Sequence, residues 1–344
     1  MKGIIKIAVL IGLILAVAIC SASCSTASGG TMSGKQIVRI AHMQSETHPE
    51  AVALKEFEKY VEKRLGDKYD VQIYPNGLLG NAQGTMELTQ TGAVDYCVVG
   101  SADLESFDDI YEGFSIPYLF ANEKAYHATM NDLKFMRKIY NSTDDAGFRV
   151  VEWFNAGTRN FYAKKPIRTP EDLKGMKIRV RESQSSVSLV KAFGAAATPL
   201  SFGEVYTAIQ QGVIDGAENN ELALTENKHG EVAKYFSYTE QQMTPDFLIA
   251  NLKFLQSLPD KDKKVFDEAA QYATKVELKE WDKQIKKAKE SAEKDMGVKF
   301  LTVDRAPFKA KTTKLRKQML KENPDLHYLY DHVQKVNKKY KEAE

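Results

Sequence analysis

The chain has 344 residues, of which 27% are charged and 43% hydrophobic, and its 48 lysines and arginines nearly balance its 46 aspartates and glutamates. This length exceeds what one hydrophobic core usually supports, so two domains are expected. The near-neutral charge argues against nucleic acid as a partner, because binding to phosphates requires a basic surface.

The first residues predict export. Lys2 and Lys6 precede an unbroken apolar run over residues 7–19, which is shorter than the roughly 20 residues that a membrane-spanning helix needs. Residues 21–24, Ser-Ala-Ser-Cys, are similar to a lipoprotein cleavage site, so Cys24 is the predicted lipidated first residue of the mature chain; simple signal cleavage nearby is the alternative. We therefore expect an extracytoplasmic protein, in the periplasm or on the outer face of the cell membrane, that touches the membrane only through a lipid anchor.

The next residues, 25–36, are rich in Ser, Thr and Gly and predict a flexible tether. The folded part is expected to begin near Ile37. Two of the three cysteines lie in the leader, which leaves Cys97 as a small core residue without a disulfide partner.

The first part of the body has the pattern of alternating strands and helices. Short β-branched or aromatic runs predict strands over 37–41, 70–74 and 96–99, and the segments between them have helical character. Leu54, Phe57, Val61 and Leu65 recur at the spacing of one helical face. This alternation predicts a largely parallel sheet covered by helices, with a ligand site at the carboxyl ends of the strands.

The second part predicts a further unit of the same kind, beginning near Gly157. Residues 123–140 are expected to form a helix and 148–154 a strand, while 176–181 alternates apolar and basic side chains as a half-buried strand would. Thr169-Pro170-Glu171-Asp172 begins a short helix, and Ser201 with Glu204 forms a capping box for a helix that ends before Gly212. The segment 259–296 predicts one helix on the order of 50 Å long, and four lysines near the C-terminus mark a solvated helix face: Lys311, Lys314, Lys317 and Lys321.

Signatures of catalysis are missing from the sequence. The body has no Gly-x-Ser-x-Gly elbow, His-Glu-x-x-His pair, Walker loop or Cys-x-x-Cys, and its six histidines do not cluster at metal-ligand spacing. We predict no enzyme activity, no cofactor and no metal. A hydrolase with residues scattered along the chain remains the alternative, because catalytic triads assemble in space.

Residues 201–221, Ser-Phe-Gly-Glu-Val-Tyr-Thr-Ala-Ile-Gln-Gln-Gly-Val-Ile-Asp-Gly-Ala-Glu-Asn-Asn-Glu, with Arg159 and Arg179 upstream, resemble the signature of one family of transport proteins. This family is the substrate-binding proteins of tripartite ATP-independent periplasmic (TRAP) transporters, and the resemblance extends from about Ile37 to beyond Gly297. It implies an α/β fold of the two-lobed periplasmic-binding-protein type, each lobe a mixed sheet flanked by helices, with a long helix spanning both lobes. The expected boundaries are 37–157 plus about 245–284 for lobe I, and 158–244 plus about 285–344 for lobe II.

The resemblance assigns roles to four residues. Arg179 matches the family position whose guanidinium holds the ligand carboxylate, which suits a planar group with two donors, whereas its strand pattern alone would predict a solvent-facing side chain. Arg159 matches a second arginine that supports the acid, with a surface position or an interdomain ion pair as the alternative. Asn219 matches an amide donor to the carboxylate, and Phe202 an aromatic that packs on the ligand; a turn and ordinary core packing are the respective alternatives.

Residues in the first lobe are candidates for contacting hydroxyl groups. Glu46 and His48 follow the first strand, and Asn81 follows the next loop. Loops at the carboxyl ends of strands line the cleft in this architecture. The alternative for the first loop is helix capping by Thr47, with Pro49 in the first turn.

Departures from the family pattern bear on the substrate. Many members have proline after Asn219, where this chain has Asn220-Glu221; Arg181-Glu182 replaces another frequent proline, and Gln241 stands where a histidine is common. Glu-Asn-Asn at 218–220 and Thr-Glu at 239–240 resemble segments of family members whose ligands are sugar acids such as galacturonate and glucuronate. The resemblance therefore implies capture of a small organic acid, galacturonate or glucuronate, for the small and large membrane subunits of a TRAP transporter. The alternatives are sialic acid or a C4-dicarboxylate as ligand, or a sensor or enzyme for sugar acids.

Overall fold

The computed structural model describes residues 34–340. The predicted signal peptide with Cys24, and most of the predicted tether, lie outside the described residues. Within 34–340, no helix has both the length and the hydrophobicity needed to span a membrane.

Strands and helices alternate along the chain. The strands are β1 (Gln36–Ala41), β2 (Tyr69–Tyr74), β3 (Tyr96–Gly100), β4 (Phe148–Ala163), β5 (Lys177–Val180), β6 (Ala196–Pro199), β7 (Gly216–Asn219), β8 (Tyr235–Asn251) and β9 (Lys299–Thr302). The α-helices are α1 (Pro49–Leu65), α2 (Ala82–Thr91), α3 (Glu123–Met130), α4 (Leu133–Tyr140), α5 (Gln184–Ala192), α6 (Val205–Gln210), α7 (Leu222–Thr225), α8 (His229–Val232), α9 (Leu252–Ser257), α10 (Asp260–Lys294), α11 (Ala306–Glu322) and α12 (Leu326–Tyr340). Short 3₁₀ helices cover Ser101–Ser106, Asp109–Ser115, Asp144–Ala146, Pro170–Leu173 and Phe202–Glu204.

The strands form one mixed sheet in the order β2-β1-β3-β8-β4-β7-β5-β6, and β9 pairs with β8. The strands β1–β3 run parallel at one end, and β5–β7 run parallel at the other. The prediction of a largely parallel sheet holds for these two groups only, because β4 and β8 pass between them as a long antiparallel pair. This mixed α/β fold confirms the predicted fold class.

The first helix confirms the periodicity seen in the sequence. Leu54, Phe57 and Val61 on α1 are completely buried, and they pack with Phe266 of α10 in one core cluster. The capping box of Ser201 and Glu204 and the left-handed glycine at 212 also agree with the sequence, as do the buried thiol of Cys97 and the exposed lysine face of α11.

Two predicted elements have different bounds in the structure. The helix predicted over 123–140 is two helices, because Asn131 caps the end of α3 and the Asp132 carboxylate accepts a hydrogen bond from the Phe135 amide at the start of α4. The strand predicted over 148–154 continues as β4 to Ala163, through register shifts against β8. A second unit therefore does not start at Gly157, which lies inside this strand with φ +66°.

The long helix α10 joins the two groups of strands. Phe266 packs with the β1–β3 core, and Ala292 with the core around β7. We call the elements packed around β1–β3 lobe I and those around β5–β7 lobe II. Leu329 and Val333 of α12, in the segment predicted for lobe II, pack in a core cluster with residues of lobe I.

Candidate functional site

A cavity of about 450 Å³ lies between the lobes, at the carboxyl ends of the parallel strands. Lobe I lines it with loops after β1 and β2 and with the end of β3, and lobe II lines it with the residues at the ends of β5, β6 and β7. This position agrees with the rule for α/β sheets. Of the residues predicted for the site, six line it: Arg179, Arg159, Asn219, Phe202, His48 and Asn81.

Arg179 lies on the lobe II wall of the cavity. It is only 4% exposed, its Nε donates to the carbonyl oxygen of Leu200 at 2.9 Å, and its guanidinium carbon lies 5.7 Å from the centre of the Phe202 ring. Burial lowers the pKa of Arg179 to about 10, so the side chain is still a cation at neutral pH. The expectation from the strand pattern, a solvent-facing arginine, is wrong, because the side chain is buried at the cavity wall, where it contacts Leu200 and Phe202.

Arg159 is held by an ion pair within its own lobe. Its Nη2 donates to Glu218 Oε1 at 2.9 Å and to the Glu218 carbonyl oxygen at 2.9 Å, its Nε donates to Glu218 Oε2, and both side chains are buried. Its Nη1 donates to Asn219 Oδ1 at 3.3 Å. The charge of Arg159 is thus largely balanced by Glu218, whereas no ion pair within 4.0 Å involves Arg179 among residues 34–340.

The Asn219 side chain is oriented by its neighbours. Its Oδ1 accepts hydrogen bonds from Arg159 and from the backbone amide of Asn220 at 2.9 Å. The amide NH₂ is therefore the group left to donate into the cavity. Phe202 follows the capping residue Ser201 and is half-buried at the cavity wall, packed edge-on against His229 with ring centres 5.6 Å apart.

The loop after β1 differs from its prediction. His48, not Thr47, caps α1, since His48 Nδ1 accepts from the Glu50 amide at 3.3 Å. Burial lowers the pKa of His48 to about 3, so it is neutral. The structure does not bring Glu46 to the cavity: its carboxylate is exposed, 3.8 Å from Lys55 Nζ, in a separate groove.

Thr47 instead bridges the lobes. The hydroxyl groups of Ser45 and Thr47 donate to Glu226 Oε2 at 2.6 and 2.5 Å. Glu226 follows α7 in lobe II and precedes Asn227, which lines the cavity. These bonds join the two lobes beside the cavity.

Sequence reasoning missed several polar residues of the cavity. Arg181, Asp103 and Asp246 line it, and Arg181 is only 8% exposed. The two-residue spacing from Arg179 to Arg181 was an available signal, because both side chains then lie on one face of a strand. Asp103 and Asp246 had no such signal, since they are far apart in sequence and meet only where β3 pairs with β8.

A larger groove of about 670 Å³ lies elsewhere and shares Trp281 with the cavity. Its lining includes Tyr118, Glu240 and Arg305, but none of the predicted site residues. The described residues contain no group of three or more acidic, histidine or cysteine side chains that would hold a metal ion.

Comparison with known proteins identifies the family. The sequence profile of the bacterial extracellular solute-binding proteins, family 7 (DctP), matches residues 40–323. An uncharacterised protein, YiiZ of Salmonella typhimurium, is 39% identical over 302 residues, which cover 88% of this chain and 92% of that protein.

Solved structures of TRAP periplasmic solute-binding proteins have the same fold. One from Anaerococcus prevotii, with bound α/β-D-glucuronate, is 49% identical with a TM-score of 0.88, over 89% of this chain and 99% of that chain. One from Chromohalobacter salexigens, with bound D-glucuronate, is 29% identical with a TM-score of 0.84, over 87% and 99% of the two chains. The cavity at the strand ends, the match over most of the chain and these likenesses together establish that the chain belongs to family 7 of the bacterial extracellular solute-binding proteins, the DctP family of TRAP transporters.

Proposed function

We propose that this protein captures a uronate, D-glucuronate or D-galacturonate, in the cavity between its lobes and delivers it to the membrane subunits of a TRAP transporter. The observation that carries the proposal is the buried guanidinium of Arg179, which lines the cavity without a carboxylate partner among the described residues. Burying a charge is costly unless it is paired, so this site is built for an anion. Structures similar to this chain hold glucuronate or galacturonate.

In this proposal, the ligand carboxylate lies against Arg179 and the amide NH₂ of Asn219. A carboxylate receives two parallel bonds from one guanidinium, a geometry that lysine does not reproduce. Arg159, fixed by Glu218, orients Asn219 and adds positive potential, while Phe202 packs against carbon atoms of the ligand. His48 and Asn81 contact hydroxyl groups from lobe I.

Ligand binding would be coupled to lobe closure. The Ser45 and Thr47 bonds to Glu226 join the two lobes, so separation of the lobes would break them, and a ligand that touches both lobes favours the closed form. We propose that the closed form is what the membrane subunits recognise. Anchoring through Cys24 would keep the protein at the membrane; a native mass without a lipid modification would refute that part.

We also propose that the ligand is released unchanged. Glu50 and Asp246 form a carboxyl pair in the cavity lining, and burial together with the charge of Asp246 raises the pKa of Glu50 well above its usual value. Such a pair is the feature that would favour an enzyme acting on sugar acids. Prolonged incubation with uronates, followed by product analysis, separates the two functions, because a binding protein yields no product.

The test of the ligand class is a thermal-shift screen followed by calorimetry. The screen contains uronates, aldonates, sialic acid and C4-dicarboxylates, since curated relatives include C4-dicarboxylate-binding proteins such as one from Vibrio cholerae at 26% identity. We expect D-glucuronate or D-galacturonate to give the largest stabilisation, and Arg179→Met to abolish it. Stabilisation by dicarboxylates alone would refute the uronate proposal. A sensor would bind the same ligands, and neighbouring genes for two multispanning membrane proteins would favour transport.

A further inference from the structure

The cavity has a second charged cluster, beside the proposed carboxylate position. Arg181 follows β5, Asp103 lies in the 3₁₀ helix after β3, and Asp246 lies on β8. All three line the cavity.

Gly100 shows how closely the three side chains approach one another. A Cβ atom added at Gly100 would lie 3.2 Å from Asp103 Oδ2, 3.2 Å from Asp246 Oδ1 and 3.3 Å from Arg181 Nη1. The φ of Gly100 is −71°, which any residue adopts, so a larger residue here is limited by space and not by backbone conformation. A side chain at this position would crowd the three polar groups.

Arg181 lacks hydrogen-bond partners of its own. Its Nε and Nη2 are buried and make no hydrogen bond within residues 34–340, and no ion pair within 4.0 Å involves this side chain in the same part of the chain. Asp103 Oδ2 accepts from the Gly100 amide at 2.9 Å, and Asp246 is next to the carboxyl group of Glu50, whose pKa is raised by burial and by the charge of Asp246. The cluster therefore presents both donor and acceptor groups, which is what a hydroxyl group needs.

The charges of the two groups of side chains differ. At the proposed carboxylate position, Glu218 balances Arg159 and leaves the single positive charge of Arg179. In the second cluster, the two acidic side chains Asp103 and Asp246 face the one guanidinium of Arg181; burial raises the pKa of Asp103, and the charge of Arg181 opposes that shift. Arg179 and Arg181 are two residues apart, so their Cα atoms are about 6.6 Å apart along an extended chain and their side chains leave the same face.

We propose that Arg181, Asp103 and Asp246 form a subsite that binds neighbouring hydroxyl groups and so selects polyhydroxylated monocarboxylates against dicarboxylates. The Asp carboxylates accept hydrogen bonds from the hydroxyl groups, and Arg181 Nη1 donates to a hydroxyl oxygen. A second carboxylate placed there would meet a net negative charge, and like charges in a desolvated site repel strongly. This inference rests on the proposed function, because it takes Arg179 as the position of the ligand carboxylate.

The experiment compares three probes, D-glucuronate, glutarate and cyclohexanecarboxylate, the last a ring acid without hydroxyl groups. Asp246→Asn and Asp103→Asn keep the side-chain shape and remove a charged acceptor. Each is therefore expected to weaken binding of D-glucuronate about 10- to 100-fold, as measured by calorimetry. Neither variant should weaken binding of cyclohexanecarboxylate, and the double variant should bind glutarate more tightly than the wild type does. Arg179→Met, in contrast, should weaken binding of all three probes.

Gly100→Ala provides a second variant that keeps every polar side chain. Its added methyl group occupies the space between the three groups, so it should weaken binding of D-glucuronate and leave binding of cyclohexanecarboxylate unchanged. Thermal unfolding without ligand checks that each variant is folded, and a variant that fails is replaced by Arg181→Met. The subsite is overturned if the folded variants bind D-glucuronate as tightly as the wild type while Arg179→Met does not. If the wild type binds no uronate at all, the proposed function is what has failed.

Discussion

Replacing Arg179 by methionine separates its role in binding from its role in stability. Arg179 uses its Nε for the Leu200 carbonyl oxygen, which leaves its two terminal nitrogens for the ligand. Two charge-assisted hydrogen bonds at about 1.5–3 kcal/mol each amount to about 3–6 kcal/mol. We therefore expect Arg179→Met to weaken binding of D-glucuronate by roughly two to four decades.

The same variant should fold without ligand nearly as stably as the wild type. It loses the bond to Leu200, which costs about 1–3 kcal/mol for the unpaired carbonyl group. It also removes a buried cation that has no carboxylate partner within residues 34–340, and relief from that desolvation offsets the loss. We expect a change in the free energy of unfolding of less than about 2 kcal/mol.

Arg159→Met is the matched control. It leaves Glu218 as a buried acid without its partner, and breaking such a pair costs about 3–5 kcal/mol. Arg179→Lys is the second control, since it keeps the charge but loses the planar pair of donors; its affinity should lie between the wild type and Arg179→Met.

Calorimetry with D-glucuronate and urea unfolding without ligand measure the two effects. Binding of D-glucuronate by Arg179→Met within threefold of the wild type would show that Arg179 does not hold the carboxylate. A loss in the free energy of unfolding as large as that of Arg159→Met would show that Arg179 is a structural residue.

Further predictions concern stability and closure. Burial, with the charge of Arg179 as the smaller cause, lowers the pKa of His229 from 6.5 to about 3, so the unfolded chain binds a proton there before the folded chain does. Its contribution to stability is complete above pH 6.5 and is lost as the pH falls toward 3. Urea unfolding between pH 6 and 4 should show His229→Gln losing about 1.4 kcal/mol less per pH unit than the wild type, and equal slopes would contradict the assignment. Glu226→Ala removes the acceptor of the two hydroxyl groups that join the lobes; it should weaken uronate binding about fivefold, or about 1 kcal/mol, through faster release in stopped-flow measurements. An unchanged release rate would separate these bonds from closure. Gly157→Ala places a Cβ 2.5 Å from Trp281 Cζ2 at φ +66°, so thermal unfolding should show a loss of more than about 1 kcal/mol. A melting temperature of Gly157→Ala equal to that of the wild type would show that α10 shifts away from the new methyl group without loss of stability.

The local elements of this fold follow from short-range patterns in the sequence. The four-residue recurrence of apolar side chains on α1 specifies which face is buried, and the β-branched runs of β1–β3 specify parallel strands. The capping pair Ser201 and Glu204 marks the start of a helix through hydrogen bonds made within one turn. Such features depend on residues that are neighbours in the chain.

Long-range pairing is what the sequence did not reveal. The strand predicted to end at residue 154 runs on to Ala163, because β8 pairs with it along most of its length. Likewise, α12 packs on lobe I although its sequence lies at the C-terminus, since an amphipathic helix does not specify which core it covers.

For the site, the sequence by itself indicated Arg179 and Asn219. The family pattern then predicted that both side chains bind the carboxylate of the ligand. Only the tertiary structure decided that Arg179 is buried, that Arg159 is paired with Glu218, that Glu46 points away, and that the second charged cluster exists. The physical reason is that desolvation and charge balance depend on every group that surrounds a side chain, and in this cavity those groups come from both lobes and from distant parts of the chain.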